Sequence, residues 1–254
     1  MIKTRQLVIS AFLAFTLQLA CQADTNDISP SLVKAGLYSF ELKNADIRDA
    51  VTALRSKLSI PVCFEMEDLD PGTQGITARE RASAMKTDGT DPSAAAMMED
   101  IAKDHPNSIV DWKLPRYNFK FENANVTDIV STILKKYQSY NYRFDNTYLV
   151  VCPKSSILDF SIGNVTLSNK KLGEAIEEVM PTLQKKNISI AGPIGAMQSS
   201  PDPLISKISE INLDNVSAGV YLTRLCQASQ PLTVWSLVGM KGSRLLTFTS
   251  VESK

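Results

Sequence analysis

The chain has 254 residues, 44% hydrophobic and 21% charged, with 27 basic and 27 acidic side chains. That balance excludes a disordered chain and a membrane-spanning bundle. Removing a leader that carries Lys3 and Arg5 leaves 25 basic against 27 acidic residues, a net −2, so no basic face is left for nucleic-acid phosphates.

Lys3 and Arg5 precede an apolar run over residues 7–20, and small residues follow at Ala20, Cys21 and Ala23. This layout predicts a secretory signal over 1–23, with a tail over 24–36. Cleavage after Ala23 would free Asp24. Leu19-Ala20-Cys21 also resembles a lipoprotein box, in which Cys21 would be lipidated and hold the chain to a membrane face. Gln18 stands where such boxes usually carry Leu, which tilts the reading toward soluble export. The expected location is periplasmic or secreted, with an outer-membrane lipoprotein as the alternative. No later stretch approaches the roughly 20 apolar residues of a membrane span.

Past the leader, one skeleton recurs at residues 40–47, 119–126, 165–172 and 211–218. Two apolar residues stand two apart: Phe40/Leu42, Phe119/Phe121, Val165/Leu167 and Ile211/Leu213. An asparagine follows each pair, at Asn44, Asn123, Asn169 and Asn215. Then come apolar sets at helical spacing: Ile47/Val51/Leu54, Val126/Val130/Ile133, Leu172/Ile176/Val179 and Ala218/Leu222/Leu225. The change of period from 2 to about 3.6 predicts a strand running straight into a one-sided helix. Asparagine suits the joint because it tolerates the left-handed conformation. Asp46, Asn125 and Ser217 are good N-caps, whereas Lys171 departs from the pattern.

Extended segments follow the helices at 61–64, 140–144, 147–152, 187–190, 232–237 and 244–249. Between the first two joints, Asp91 and Pro92 predict another helix with Met97 and Ile101 inward, and Ile109 to Leu114 echoes Leu232 to Leu237. The predicted fold is α+β: an array of small two-layer strand–helix–strand units with mixed sheets. The expected divisions are a double unit over 37–116, a second over 117–191, a Gly/Pro/Ser-rich loop over 192–206 and a terminal half unit over 207–254.

Residues 40–65 and 119–153 resemble the short N-terminal module of secretins and TonB-dependent receptors, the STN-type domain, through their strand, joint, amphipathic helix and strand. The resemblance covers residues 37–250 and carries no catalytic signature. It implies a periplasmic module that docks envelope proteins of a secretin or TonB-linked system. The chain departs from that family in carrying no ring domain, barrel or transmembrane relay of its own.

The side chains give little to chemistry. His105 is the single histidine, at a predicted helix end, so a zinc site of usual type lacks ligands. No serine stands in a G-x-S-x-G elbow, and no phosphate-binding glycine loop is present. Cys63, Cys152 and Cys226 show no metal spacing; one disulfide with a leftover thiol and three buried thiols both remain open. Glu65, Glu67, Asp68 and Asp70 read as a solvated strand end rather than a calcium loop. Tyr140, Tyr142 and Phe144 alternate onto one sheet face and read as core, and Trp112 and Trp235 as core anchors. The sequence therefore predicts no catalytic, cofactor-binding or metal residue. It predicts a non-enzymatic protein-interaction module that docks partners by strand addition, at residues 147–151 or 245–249. A binder of cell-wall glycan or lipid, gated by the 192–206 loop, is the alternative.

Overall fold

The computed structural model describes residues 36–58, 60–87, 92–190, 202–240 and 242–251. The leader, Cys21, the Asp91 cap and most of the 192–206 loop lie outside the described residues. In chain order the first half holds β1 (Tyr38–Ala45), α1 (Ile47–Leu58) and β2 (Val62–Glu65). An insertion follows: α2 (Pro71–Gln74), β3 (Gly75–Thr77), α3 (Ala78–Thr87), α4 (Pro92–Asp104) and β4 (Ile109–Trp112). Then come β5 (Tyr117–Ala124), α5 (Val126–Lys136), β6 (Tyr140–Asp145) and β7 (Tyr148–Pro153). The second half runs β8 (Ser161–Leu167), α6 (Leu172–Gln184), β9 (Ile188–Ile190), a 3-10 turn (Pro203–Ile205), β10 (Lys207–Ile208), β11 (Ile211–Ser217), α7 (Ala218–Ala228), β12 (Ser229–Gln230), β13 (Thr233–Met240) and β14 (Ser243–Ser250). The architecture is α+β with mixed sheets.

Each of the four asparagines sits at the end of its strand in the left-handed region, with φ of 47° at Asn44 and Asn123, 55° at Asn169 and 48° at Asn215. Asparagine takes this conformation more readily than other non-glycine residues, and there the ribbon bends into a helix. The apolar stripes that follow are buried as a set: Ile47/Val51/Leu54, Val126/Val130/Ile133, Leu172/Ile176/Val179 and Ala218/Leu222/Leu225. Asp46, Asn125 and Ser217 accept backbone N–H groups of the first helical turn, from Arg48 and Asp49, from Asp128 and from Val220. Lys171 instead donates its own N–H to the Glu174 carboxylate.

Strand pairing crosses the expected divisions at 116/117 and 191/207. β1 pairs antiparallel with β5, and β8 with β11, so the chain groups as 38–153 and 161–250. Repeat sequences adjacent along the chain fold as interleaved pairs because each lone strand needs a partner ribbon. The expected second unit inside the first section does not form. β3 and β4 make a separate ribbon, α3 packs on it, and α4 packs on α3. With no sheet to face, α4 has no fully buried side chain and Met97 is 61% exposed, not inward.

The remaining strands form one six-stranded sheet in the order β6-β7-β2-β13-β14-β9. Alternation divides its side chains between two cores. Val62, Phe64, Leu149 and Val151 pack with α1 and α5 on one face. Cys63, Tyr148, Val150, Trp235, Leu237, Leu246 and Ile188 pack with α6 and α7 on the other. Cys63, Cys152 and Cys226 are buried free thiols, and Trp235 is 1% exposed, whereas Trp112 is only half-buried.

Candidate functional site

The two halves are copies of one topology. β6-β7-β2 of the first matches β13-β14-β9 of the second, each an antiparallel pair followed by a parallel one. Registers agree to the residue. Phe40 faces Phe121 and Leu42 faces Phe119, as Val165 faces Leu213 and Leu167 faces Ile211. Leu149 N–H donates to Pro61 O at 2.9 Å, and its counterpart Arg244 N–H donates to Asn187 O at 3.0 Å. The joint N–H of Asn123 donates to Ser39 Oγ, and that of Asn215 to Asn164 Oδ1. A polar residue five positions before the partner joint is thus part of the repeat: Ser39, Asn118 and Asn164 all serve, the second taking Asn44 N–H at 2.7 Å.

The halves join edge to edge. β2 pairs in parallel with β13, placing Phe64 opposite Ser236 and Glu65 opposite Leu237. Met66 N–H donates to Leu237 O at 2.8 Å. Arg55 fixes the seam from above, donating to Val62 O at 2.6 Å and Ser236 Oγ at 2.8 Å. At the lower end Arg244 pairs with Asp68 across the halves.

Two buried acids brace this arrangement. Asp46, fully buried, is bound by Arg48 at 2.7 Å and Arg116 at 3.2 Å, and Arg48 reaches Asp111 of β4. Burial alone would raise its carboxyl. The Arg48 hydrogen bond, the Asp49 N–H and the Arg48 charge outweigh burial and hold it below the usual range. Glu65, expected in a solvated patch, is 1% exposed. The segment between the halves folds over it: Ser156 Oγ donates to one carboxylate oxygen at 2.5 Å and Ile157 N–H to the other at 2.7 Å. Burial pushes this carboxyl up to about 7, against the lowering effect of those donors. A buried acid poised near neutrality can be catalytic. Here both oxygens are engaged by the linker, and that linker's Leu158 O and Phe160 O accept Gly219 and Ala218 N–H of α7. Glu65 ties the halves together. The rest of the acidic patch is also committed: Asp68 to Arg244, Glu67 to Ser139 Oγ, and Asp70 to the Gly72 N–H. No group of three or more metal-ligating side chains occurs among the described residues, and His105 is exposed at the end of α4.

The open strand edges are the surfaces with unspent hydrogen-bonding capacity. Residues 147–151 and 245–249, expected at an edge, are interior: β7 lies between β6 and β2, and β14 between β13 and β9. Residues 148–152 are buried toward both faces, as a strand with two covered faces requires, whereas β14 mixes buried and accessible positions. Among the described residues the sheet ends instead at β6 and β9. On β6, Ser139 O takes Lys154 N–H from the β7 side and Tyr140 N–H turns back to Tyr137 O. Odd-numbered residues therefore serve β7, and the backbone of Tyr142 and Phe144 points outward. On β9, Asn187 O serves β14, so Ile188 and Ile190 point outward. The pairings of β6 with β7 and β9 with β14 run without register shifts. The outer ribbons differ: β1–β5 and β8–β11 carry register shifts, and Lys43 and Lys120 stand on the first, devices that blunt an edge. An open groove of about 530 Å³ runs along β11 and α7, lined by Glu210, Asn212, Arg224 and Gln227 among others.

No family model, curated protein or solved structure matches the chain. Among the described residues no helix is long and apolar enough to cross a membrane.

Proposed function

We propose that the protein is an exported, non-enzymatic interaction module of the cell envelope, which takes up partners by strand addition at the ends of its six-stranded sheet. The observation that carries this reading is the seam between the halves. The fold already joins two modules by laying β13 along the edge of β2, and among the described residues no strand pairs with the outer sides of β6 and β9. Main-chain bonds at such an edge supply affinity with little demand on side-chain chemistry. The N-terminal run of residues 3–23 supports export, with Cys21 either removed or lipidated, and the STN-like skeleton supports partners in a secretin or TonB-linked system.

Photo-crosslinking residues placed at Asn141 and Ser189 in living cells are expected to give discrete protein adducts, whereas one at Lys120 on the blunted ribbon gives none. Absence of adducts at the first two positions, or equal labelling at Lys120, overturns the reading.

A further inference from the structure

The seam and the two open ends are related by one operation. β7 and β2 are parallel and β6 runs against them, while β13, the counterpart of β6, is parallel to β2. The second half therefore runs opposite to the first. Its helices α6 and α7 also cover the opposite face. Inverted direction, inverted face and unchanged strand order together define a half-turn about an axis lying across the strands, combined with a shift of three strands. Such a screw does not close on itself. Applied once more, it lays a β6 strand along β9, in parallel, just as β13 lies along β2.

We propose that the partner of these edges is a second copy of this chain, β9 of one copy pairing in parallel with β6 of the next, so that copies add head to tail. This rests on the strand-addition reading and names its occupant. A head-to-tail contact that does not close gives an open chain of subunits. Register follows from the internal seam. Phe64 opposite Ser236 becomes Ile190 opposite Asn141, with Tyr142 N–H directed at the Ile190 carbonyl.

The back face of the second half is arranged for such a neighbour. In the first half, Cys63, Tyr148 and Val150 are buried against α7, whose Cys226 O accepts the Tyr148 hydroxyl at 3.0 Å. Their counterparts Ser189 and Ser243 are exposed and Leu245 is half-buried. The helix of the next copy that corresponds to α7 is α5, and it would cover them. Serines in place of a thiol and a tyrosine make that contact weaker than the internal seam, so association is reversible and concentration-dependent.

Sedimentation of the purified wild-type chain over a concentration series is the first test. The weight-average mass is expected to rise past that of a dimer without a plateau; a constant monomer mass, or a plateau at the dimer, overturns the proposal. The second test is an Asn141→Cys/Ile190→Cys double variant, oxidised and run without reductant, with unchanged circular dichroism as the folding control. A ladder of multimers that needs both cysteines supports the head-to-tail contact. Crosslinked dimers from Asn141→Cys alone indicate edge-to-edge pairing of two β6 strands and overturn it, while leaving strand addition standing. Adducts only to other envelope proteins at Asn141 in cells overturn the self-pairing and keep the broader function. No adducts of any kind at either edge sink both.

Discussion

The two halves share joints, registers and strand order, yet the same position carries different chemistry in each. Tyr148, Val150 and Cys63 are buried in the first half, and Ser243, Leu245 and Ser189 are exposed or half-buried at the equivalent places in the second. The backbone plan repeats; burial is decided by what lies next to it. In the first half that neighbour is α7 of the second, and among the described residues no helix takes the equivalent place over the second half.

This contrast can be broken by exchange. Tyr148→Ser opens a cavity in the inter-half core and removes one of the donors to the Cys226 carbonyl, so it is expected to cost about 3–5 kcal/mol in urea unfolding. The mirror change Ser243→Tyr is expected to stay within about 0.5 kcal/mol. Equal effects would mean that the halves are not related as described.

The pH dependence sharpens the role of the first half's two buried acids, which act with opposite sign. Between the ordinary carboxyl range and about 7, Glu65 binds more protons folded than unfolded. Its contribution is therefore fully present at low pH and lost as pH rises through about 7. Glu65→Gln should remove this downward slope between pH 5 and 8. Asp46 is depressed, so its contribution is present at neutral pH and lost as pH falls through the acid range. Among the described residues the second half has no buried acid.

Caps give a smaller difference. Asp46→Ala removes a side chain that accepts two first-turn N–H groups and pairs with Arg48 and Arg116, and should cost about 2–4 kcal/mol. Its equivalent Lys171→Ala keeps the backbone bond to Glu174 and should cost no more than a few tenths. Smallest and most uniform are the joints. Asn→Ala at Asn44, Asn123, Asn169 or Asn215 should each cost about 1 kcal/mol, with Asn→Gly costing less because glycine is free at positive φ. One joint insensitive to alanine would remove it from the repeat.

Much of this was legible in the sequence. Four asparagines with both periods in register around them located the strand-to-helix bends, because the left-handed bend restricts the residue type and the stripe restricts the spacing. The polar residues five before three of the joints were equally visible and carry the N–H bonds of the partner joints. The doubly apolar run at residues 148–152 is the signal of an interior strand that the expectation of an edge at 147–151 missed, and alternation at the neighbouring β6 drew attention to its aromatic face rather than its free backbone. Two features had no local signal. Pairing of β1 with β5 spans more than seventy residues and depends on the ribbon each strand finds. Glu65 stands in a run of acids that looks solvated, and only the return of residues 154–160 over the sheet buries it.

Backbone hydrogen exchange resolved by residue, on the isolated chain at low concentration and again in its assembled state, addresses the open-ended sheet most directly. Met66, Leu237 and Arg143 should be slow in both states, and Tyr142 and Ile190 fast when dilute and slow once assembled. Protection of Tyr142 and Ile190 already at dilution, or rapid exchange at Met66 and Leu237, would contradict a sheet sealed at its middle and open at its ends.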